Sequence, residues 1–249
     1  MQYRTEQLDQ HTWLIEEYNE TSSVYMYLLE GEREALLIYT GNGTIPLEEI
    51  CRELTGLPVT VALTHGHADH IGGTGHFENV WIARADEPLY RLHSTDELRR
   101  IFAGAEYAPA KAAEELQFFE EGRVFDLGGR TVEVIATPGH SVGSVCFLDR
   151  ERRQMFTGDT CCKAHVLLQL DHAAPIEIFL DSIRKLLDLQ DYYDITWPGH
   201  HEKPVAKDVI RQFLAAAEGL LSGMMEGREM EHPAGKCRLL EYRDIGIEY

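Results

Sequence analysis

The sequence contains no apolar run approaching the roughly 18 residues of a membrane span, so neither spanning nor anchoring is expected. Its start, MQYRTEQLDQHTWLIEEY, has no basic stretch followed by an apolar one. No secretory signal is therefore expected in this numbering, and the cytoplasm is the expected compartment. Positive charge is scarce: 23 Lys and Arg stand against 42 Asp and Glu, a formal net charge of −19. Such a field repels phosphate backbones and anionic membranes, which removes nucleic acid and membrane surfaces from the expected partners. A small-molecule substrate is left, with a homodimer as an allowed assembly. Arg84, Arg91, Arg99 and Arg100 read as a solvated helix face rather than a basic patch. Cysteine is sparse and odd in number: Cys51, Cys146, Cys161, Cys162 and Cys237 form no regular framework and read as free thiols. Internal repeats, low-complexity stretches and Pro/Gly/Ser-rich linkers are absent, so residues 1–249 read as one domain.

What is present is an ordinary globular composition, 44% hydrophobic and 26% charged, in a chain of 249 residues. β-rich runs at residues 11–15, 23–29 and 35–39, the last followed by Gly41-Asn42-Gly43, predict an antiparallel meander. Residues 47–55 have helical spacing ended by Gly56 and Pro58, and residues 59–63 form a short apolar strand. Helices are expected over 86–102 and 110–121, and strands over 131–137, 144–149 and 154–157. Residues 175–189 are helical, 194–197 a strand, and 205–225 a helix with apolar residues three and four apart. Residues 237–249 supply edge strands. Strands then helices, repeated, predict an α/β (α+β) fold: a four-layer αββα sandwich of two mixed sheets face to face, helices outside.

The chemistry-bearing segment is Thr64-His65-Gly66-His67-Ala68-Asp69-His70, just past a strand end. Residues two apart in an extended backbone point the same way, so His65 and His67 can grip one ion while Asp69 and His70 face a neighbouring position. Clustered imidazoles repel when protonated and need partners when neutral. A metal ion satisfies both conditions.

With these residues the chain resembles the metallo-β-lactamase-fold hydrolases, whose signature is His-x-His-x-Asp-His followed by a distant His, an Asp and a final His. The later positions match Thr137-Pro138-Gly139-His140-Ser141, Phe156-Thr157-Gly158-Asp159-Thr160 and Trp197-Pro198-Gly199-His200. The resemblance implies two divalent metal ions, zinc first, with iron and manganese as alternatives. It assigns His65, His67 and His140 to one ion, Asp69, His70 and His200 to the other, and Asp159 between them. It also implies hydrolysis of an ester, thioester, lactone or phosphoester by a metal-bridging hydroxide, with Asp69 as the catalytic residue that orients the nucleophile. The alternative is an iron-dependent oxidoreductase resembling the sulfur dioxygenases of this fold.

The sequence also departs from its relatives. Where family members commonly read Ile-Asp-Thr-Gly, this chain has Ile38-Tyr39-Thr40-Gly41, which removes a carboxylate behind the ligands. Asp159 argues against a true β-lactamase, and Cys162 stands where related lactonases carry a Tyr. Cys161 and Cys162 read as buried packing, His201 as solvent-facing, and His165 and His172 as pocket-lining. His11, His76, His93 and His232 read as structural or surface, and Tyr192 and Tyr193 as packing beneath the last strand.

Overall fold

The computed structural model describes residues 2–20, 22–104 and 106–249. They group into two compact units, Met1–Val134 and Ile135–Tyr249. In the first, β1 (Gln2–Asp9), β2 (Thr12–Tyr18), β3 (Ser23–Glu30) and β4 (Ala35–Ile38) form an antiparallel meander. Helix α1 (Leu47–Leu54) then returns the chain so that β5 (Val59–Ala62) lies parallel to β4. It can cross over because Leu47, Ile50 and Cys51 give it one apolar stripe. β6 (Val80–Ala83) pairs parallel with β5.

Two helices follow, α2 (Glu87–His93) and α3 (Asp96–Ala103), before β7 (Gln117–Phe119) completes a seven-stranded sheet in sequence order. The single helix expected over 86–102 is therefore two. Thr95 is extended (φ −67°, ψ 146°), which ends one helix and starts another. The helix expected over 110–121 is a correction of a different kind. Ala113–Glu115 makes one 3-10 turn, and the next residues pair with β6 in the register Trp81↔Gln117, Ile82↔Phe118, Ala83↔Phe119. Strand pairing that buries Phe119 overrides the helical preference of an Ala/Glu-rich stretch. The antiparallel pair β8 (Val124–Asp126) and β9 (Thr131–Ala136) leads out of this unit.

In the second unit, β10 (Val145–Asp149) pairs antiparallel with β11 (Gln154–Gly158), and β12 (His165–Leu167) follows. Helix α4 (Ile176–Asp188) crosses over to β13 (Ile195–Pro198), which lies parallel to β11. β14 (Val205–Ala206) flanks β13, and α5 (Val209–Leu221) packs beside α4. The reason for that packing is in the spacing: Phe179, Ile183 and Leu186 on one helix, Val209, Phe213 and Ala216 on the other, are all buried. Phe179 and Phe213 meet edge to face, with centroids 5.9 Å apart. β15 (Arg228–His232), β16 (Gly235–Tyr242) and β17 (Ile245–Glu248) form a second sheet in which β17 pairs parallel with β12.

All five cysteines are free, as the sequence led us to expect, and all five are buried, as it led us to expect of Cys161 and Cys162. No helix among the described residues is long and apolar enough to cross a membrane.

Candidate metal centre

Parallel strands end on the same edge of a sheet, and this sets the first group of residues. β4 and β5 run side by side, so the turn after β4 lies against the loop after β5. The Thr40 N–H and hydroxyl both donate to the His70 carbonyl, at 2.8 and 3.0 Å. His65 (1% exposed), His67 (8%) and His70 (0%) are held within this loop, and Asp69 is the partly open member.

His65 Nε2 lies 3.0 Å from His67 Nδ1. A nitrogen of His70 lies within 4.8 Å of one on His65, and His70 Nε2 lies 3.6 Å from Asp69 Oδ2. His65 Nδ1 faces Thr64 Oγ1 at 3.0 Å. The tautomer in which Nδ1–H donates to that hydroxyl leaves the Nε2 lone pair for a ligand.

Tyr39, where the resemblance led us to expect a missing carboxylate, supports the same ring. Its hydroxyl bonds to Thr64 Oγ1 and lies 3.4 Å from His65 Nδ1. Its ring also stacks, tilted 30°, on His70 at 4.1 Å. A phenol therefore stands behind the first histidine, on a residue with φ 71°.

Three supports of this loop, Asp86, His93 and Arg99, were not legible in the sequence. Asp86, fully buried, accepts the Gly66 N–H at 2.7 Å. A Cβ on Gly66 would lie 2.7 Å from the Tyr90 backbone nitrogen, so only glycine lets α2 pack this closely. His93, read from sequence as structural or surface, accepts the Ala68 N–H on Nδ1 at 3.1 Å and sets its ring 4.9 Å from that of His67. Arg99, read as solvated, is 1% exposed and donates to the carbonyls of Gly72 and Asn42 at 3.1 and 2.7 Å. Burial pulls its pKa below the usual arginine value. Its guanidinium pins the chain two residues beyond His70.

The second unit gathers the other three. β11 and β13 are parallel, with Gly158 in register with Pro198, and the Gly199 N–H donates to the Gly158 carbonyl at 3.1 Å. Asp159 and His200 therefore leave the same edge together. Asp159 Oδ2 lies 3.6 Å from His140 Nε2 and 3.5 Å from His200 Nε2. His140 Nδ1 lies 3.2 Å from the Leu167 carbonyl of β12. A carbonyl only accepts, so Nδ1 carries the proton and Nε2 is the ligand nitrogen. One carboxylate oxygen thus stands between two imidazole nitrogens, beyond ordinary hydrogen-bond length from each.

Imidazole nitrogens and carboxylate oxygens turned toward one another, with their far sides held by hydroxyl and carbonyl groups, are the donor set of a divalent transition-metal ion. The residues of each unit fit that group.

The tempting neighbours sort as follows. Cys161 and Cys162 are buried, and burial pushes the Cys162 thiol up to about 12, which leaves it inert. His165 is half-open, its Nδ1 2.8 Å from the buried Glu248 carboxylate. His201 is exposed, with φ 68°. The Tyr193 hydroxyl donates to the Leu186 carbonyl from a fully buried position, whereas Tyr192 is 47% exposed.

A family model described as the metallo-beta-lactamase superfamily matches residues 20–200. The chain belongs to this superfamily. It is 34% identical over 178 residues to an atrochrysone carboxyl ACP thioesterase of Aspergillus fumigatus, a match covering 70% of this chain and 49% of that protein. The chain thus spans about half the length of that relative. It is 26% identical over 215 residues to the human acyl-coenzyme A thioesterase MBLAC2, covering 76% of this chain and 77% of the relative.

Among solved structures, a metallo-beta-lactamase from Pontibacter korlensis superposes with a TM-score of 0.67 at 18% identity, over 87% of this chain and 99% of that one. A metallo-beta-lactamase family protein from Thermus thermophilus gives 0.64 at 24% identity, over 88% and 80%. The expected mixed α/β fold is therefore the metallo-β-lactamase fold.

Proposed function

We propose that this chain is a binuclear metal-dependent hydrolase whose substrate is an acyl thioester. The observation that carries the binuclear reading is Asp159, whose Oδ2 stands 3.6 and 3.5 Å from the ligand nitrogens of His140 and His200. A carboxylate set between two imidazoles is placed to be shared by two ions. Neither group of residues supplies a full set by itself. In this reading they act as one centre: His65, His67 and His140 on one ion, Asp69, His70 and His200 on the other, and Asp159 common to both. Likeness to two relatives named as thioesterases supports the choice of thioester over ester, lactone or phosphoester.

Two divalent ions held by such a set, zinc first, would supply a hydroxide at neutral pH and polarise the scissile carbonyl. The protein's own part is orientation and proton handling. Thr64, Tyr39 and the Leu167 carbonyl fix the rings of His65 and His140. Asp69, with 21% of its side chain open, is the carboxylate placed to orient the attacking oxygen. It takes that oxygen's proton as the acyl carbon is attacked, and returns it to the sulfur as the carbon–sulfur bond breaks. The products are a carboxylate and a thiol. Five buried, unpaired cysteines suit a reducing compartment, the cytoplasm.

The test is a panel of N-acetylcysteamine thioesters, p-nitrophenyl esters, lactones and phosphodiesters with the zinc-loaded protein. Thioesters should be preferred at least tenfold in kcat/KM. A preference for any other group, or loss of sulfide to an oxidised product, would overturn the substrate reading.

A further inference from the structure

We infer that Glu248 of β17 is a positioning residue for the metal ligand His140: its buried carboxylate clamps the short strand β12, whose Leu167 carbonyl fixes the His140 ring. This rests on the reading of His140 as a metal ligand given above. The ring is steered from behind by that carbonyl, 3.2 Å from Nδ1, while Nε2 faces Asp159 Oδ2 at 3.6 Å. The ligand nitrogen is therefore held only as firmly as the strand that carries the carbonyl. β12 is three residues long and lies at the edge of its sheet, with β17 as its neighbour there.

Glu248 fastens this strand on both sides of the carbonyl. Leu167 is in register with Glu248, and His165 with Gly246. The Glu248 carboxylate, 4% exposed, accepts from His165 Nδ1 at 2.8 Å and from Gln169 Nε2 at 2.9 Å. These residues lie two before and two after Leu167, so the pair of bonds straddles the group that meets His140. The Glu248 backbone carbonyl adds a bond from the Leu168 N–H at 2.7 Å. Gly246 makes the His165 bond possible: a Cβ there would lie 2.6 Å from His165 Cδ2, so the imidazole crosses the glycine to reach the carboxylate. A buried carboxylate is costly on a chain of net charge −19 unless its partners are in place, and these partners all bear on one strand.

The experiment compares full-length parent, Glu248→Ala, Glu248→Gln and Gly246→Ala. The 15N shifts of the His140 imidazole, read in metal-free protein at about pH 8, above the ordinary imidazole range, report which nitrogen carries the proton. Zinc competition against a chromophoric chelator reports affinity. The parent should hold the proton on Nδ1. Glu248→Ala should mix the tautomers and weaken zinc binding by about tenfold or more. Gly246→Ala, which displaces the His165 ring and leaves the carboxylate, should move both readouts the same way. Glu248→Gln should keep the parental values: its amide oxygen still accepts from His165, and its NH2 meets Gln169 Oε1, a buried oxygen without a partner in the parent. Tyr193→Phe, which loses a buried hydrogen bond to the Leu186 carbonyl in the same unit, controls for lowered stability and should change neither readout. Parental tautomer and affinity in Glu248→Ala would overturn the inference, as would equal losses in Glu248→Ala and Tyr193→Phe. If Glu248→Ala does not fold, Gly246→Ala decides in the same terms. A tautomer that follows Glu248 in a parent whose Nε2 shift ignores added zinc would leave the clamp standing and overturn the metal reading.

Discussion

Arg99 offers a quantitative test of how the histidine loop is held. The substitution is Arg99→Met, which keeps an unbranched apolar stem and removes the guanidinium. In the structure that group donates to the carbonyls of Asn42 at 2.7 Å, Gly72 at 3.1 Å and Ala108 at 3.3 Å, and its Cζ lies 4.9 Å from the centroid of the Tyr107 ring. A hydrogen bond from a charged donor contributes about 1.5–3 kcal/mol, and a buried acceptor left unmade costs about 1–3 kcal/mol. Against this stands the cost of burying the guanidinium, the same effect that lowers its pKa. Three bonds against one desolvated cation leave a net loss of about 2–4 kcal/mol. For a chain of this size each kcal/mol moves Tm by about 2–4 °C, so Tm should fall by about 5–15 °C. Calorimetry on parent, Arg99→Met and Arg99→Lys measures it, with Lys intermediate because it keeps the charge but not the fork. A variant within about 0.5 kcal/mol of the parent would refute the reasoning.

Gly66→Ala should be destabilised by about 1–3 kcal/mol, because the new methyl would meet the backbone of Tyr90 at 2.7 and 3.0 Å; denaturant unfolding and metal content both report it. Hydrogen bonds from the Arg153 guanidinium draw the Asp194 carboxyl from 3.8 down to about 2. Its folded-state pKa is depressed, so its contribution to stability is full above the unfolded value and is lost as pH falls from about 4 to about 2. Acid unfolding curves of parent and Asp194→Asn should therefore converge across that window, and curves already superimposed at neutral pH would contradict the pairing. Burial pushes the Cys51 thiol from 9.0 to about 12 and that of Cys146 to about 11. Both favour the protonated fold, a contribution present below the unfolded value and lost as pH rises past it. At about pH 8 a thiol reagent should leave both unmodified in the native protein and label both after denaturation.

The sequence made legible what repeats with a period or clusters in a motif. α4 and α5 carry their apolar residues three and four apart. The His65–His70 segment and the turns at His140, Asp159 and His200 each follow an apolar strand. What escaped has physical reasons. Gln2–Asp9 forms a strand with its first six residues exposed, so it has no apolar face to announce it. Gln117–Phe119 became a strand through pairing with β6, an interaction between residues far apart in sequence. The break at Thr95 turns Arg99 inward, and an arginine whose partners are backbone carbonyls leaves no charge pattern to read. His93 gains its place beside His67 only because α2 docks on Gly66, a contact that no local spacing encodes.

The central claim is a pair of ions shared through Asp159, and elemental analysis of protein purified without added metal tests it most directly. Parent protein should carry two divalent ions per chain, zinc in the first place. Asp159→Ala should lose at least one of them together with thioester hydrolysis. One iron per chain, held equally well by Asp159→Ala, would contradict the account.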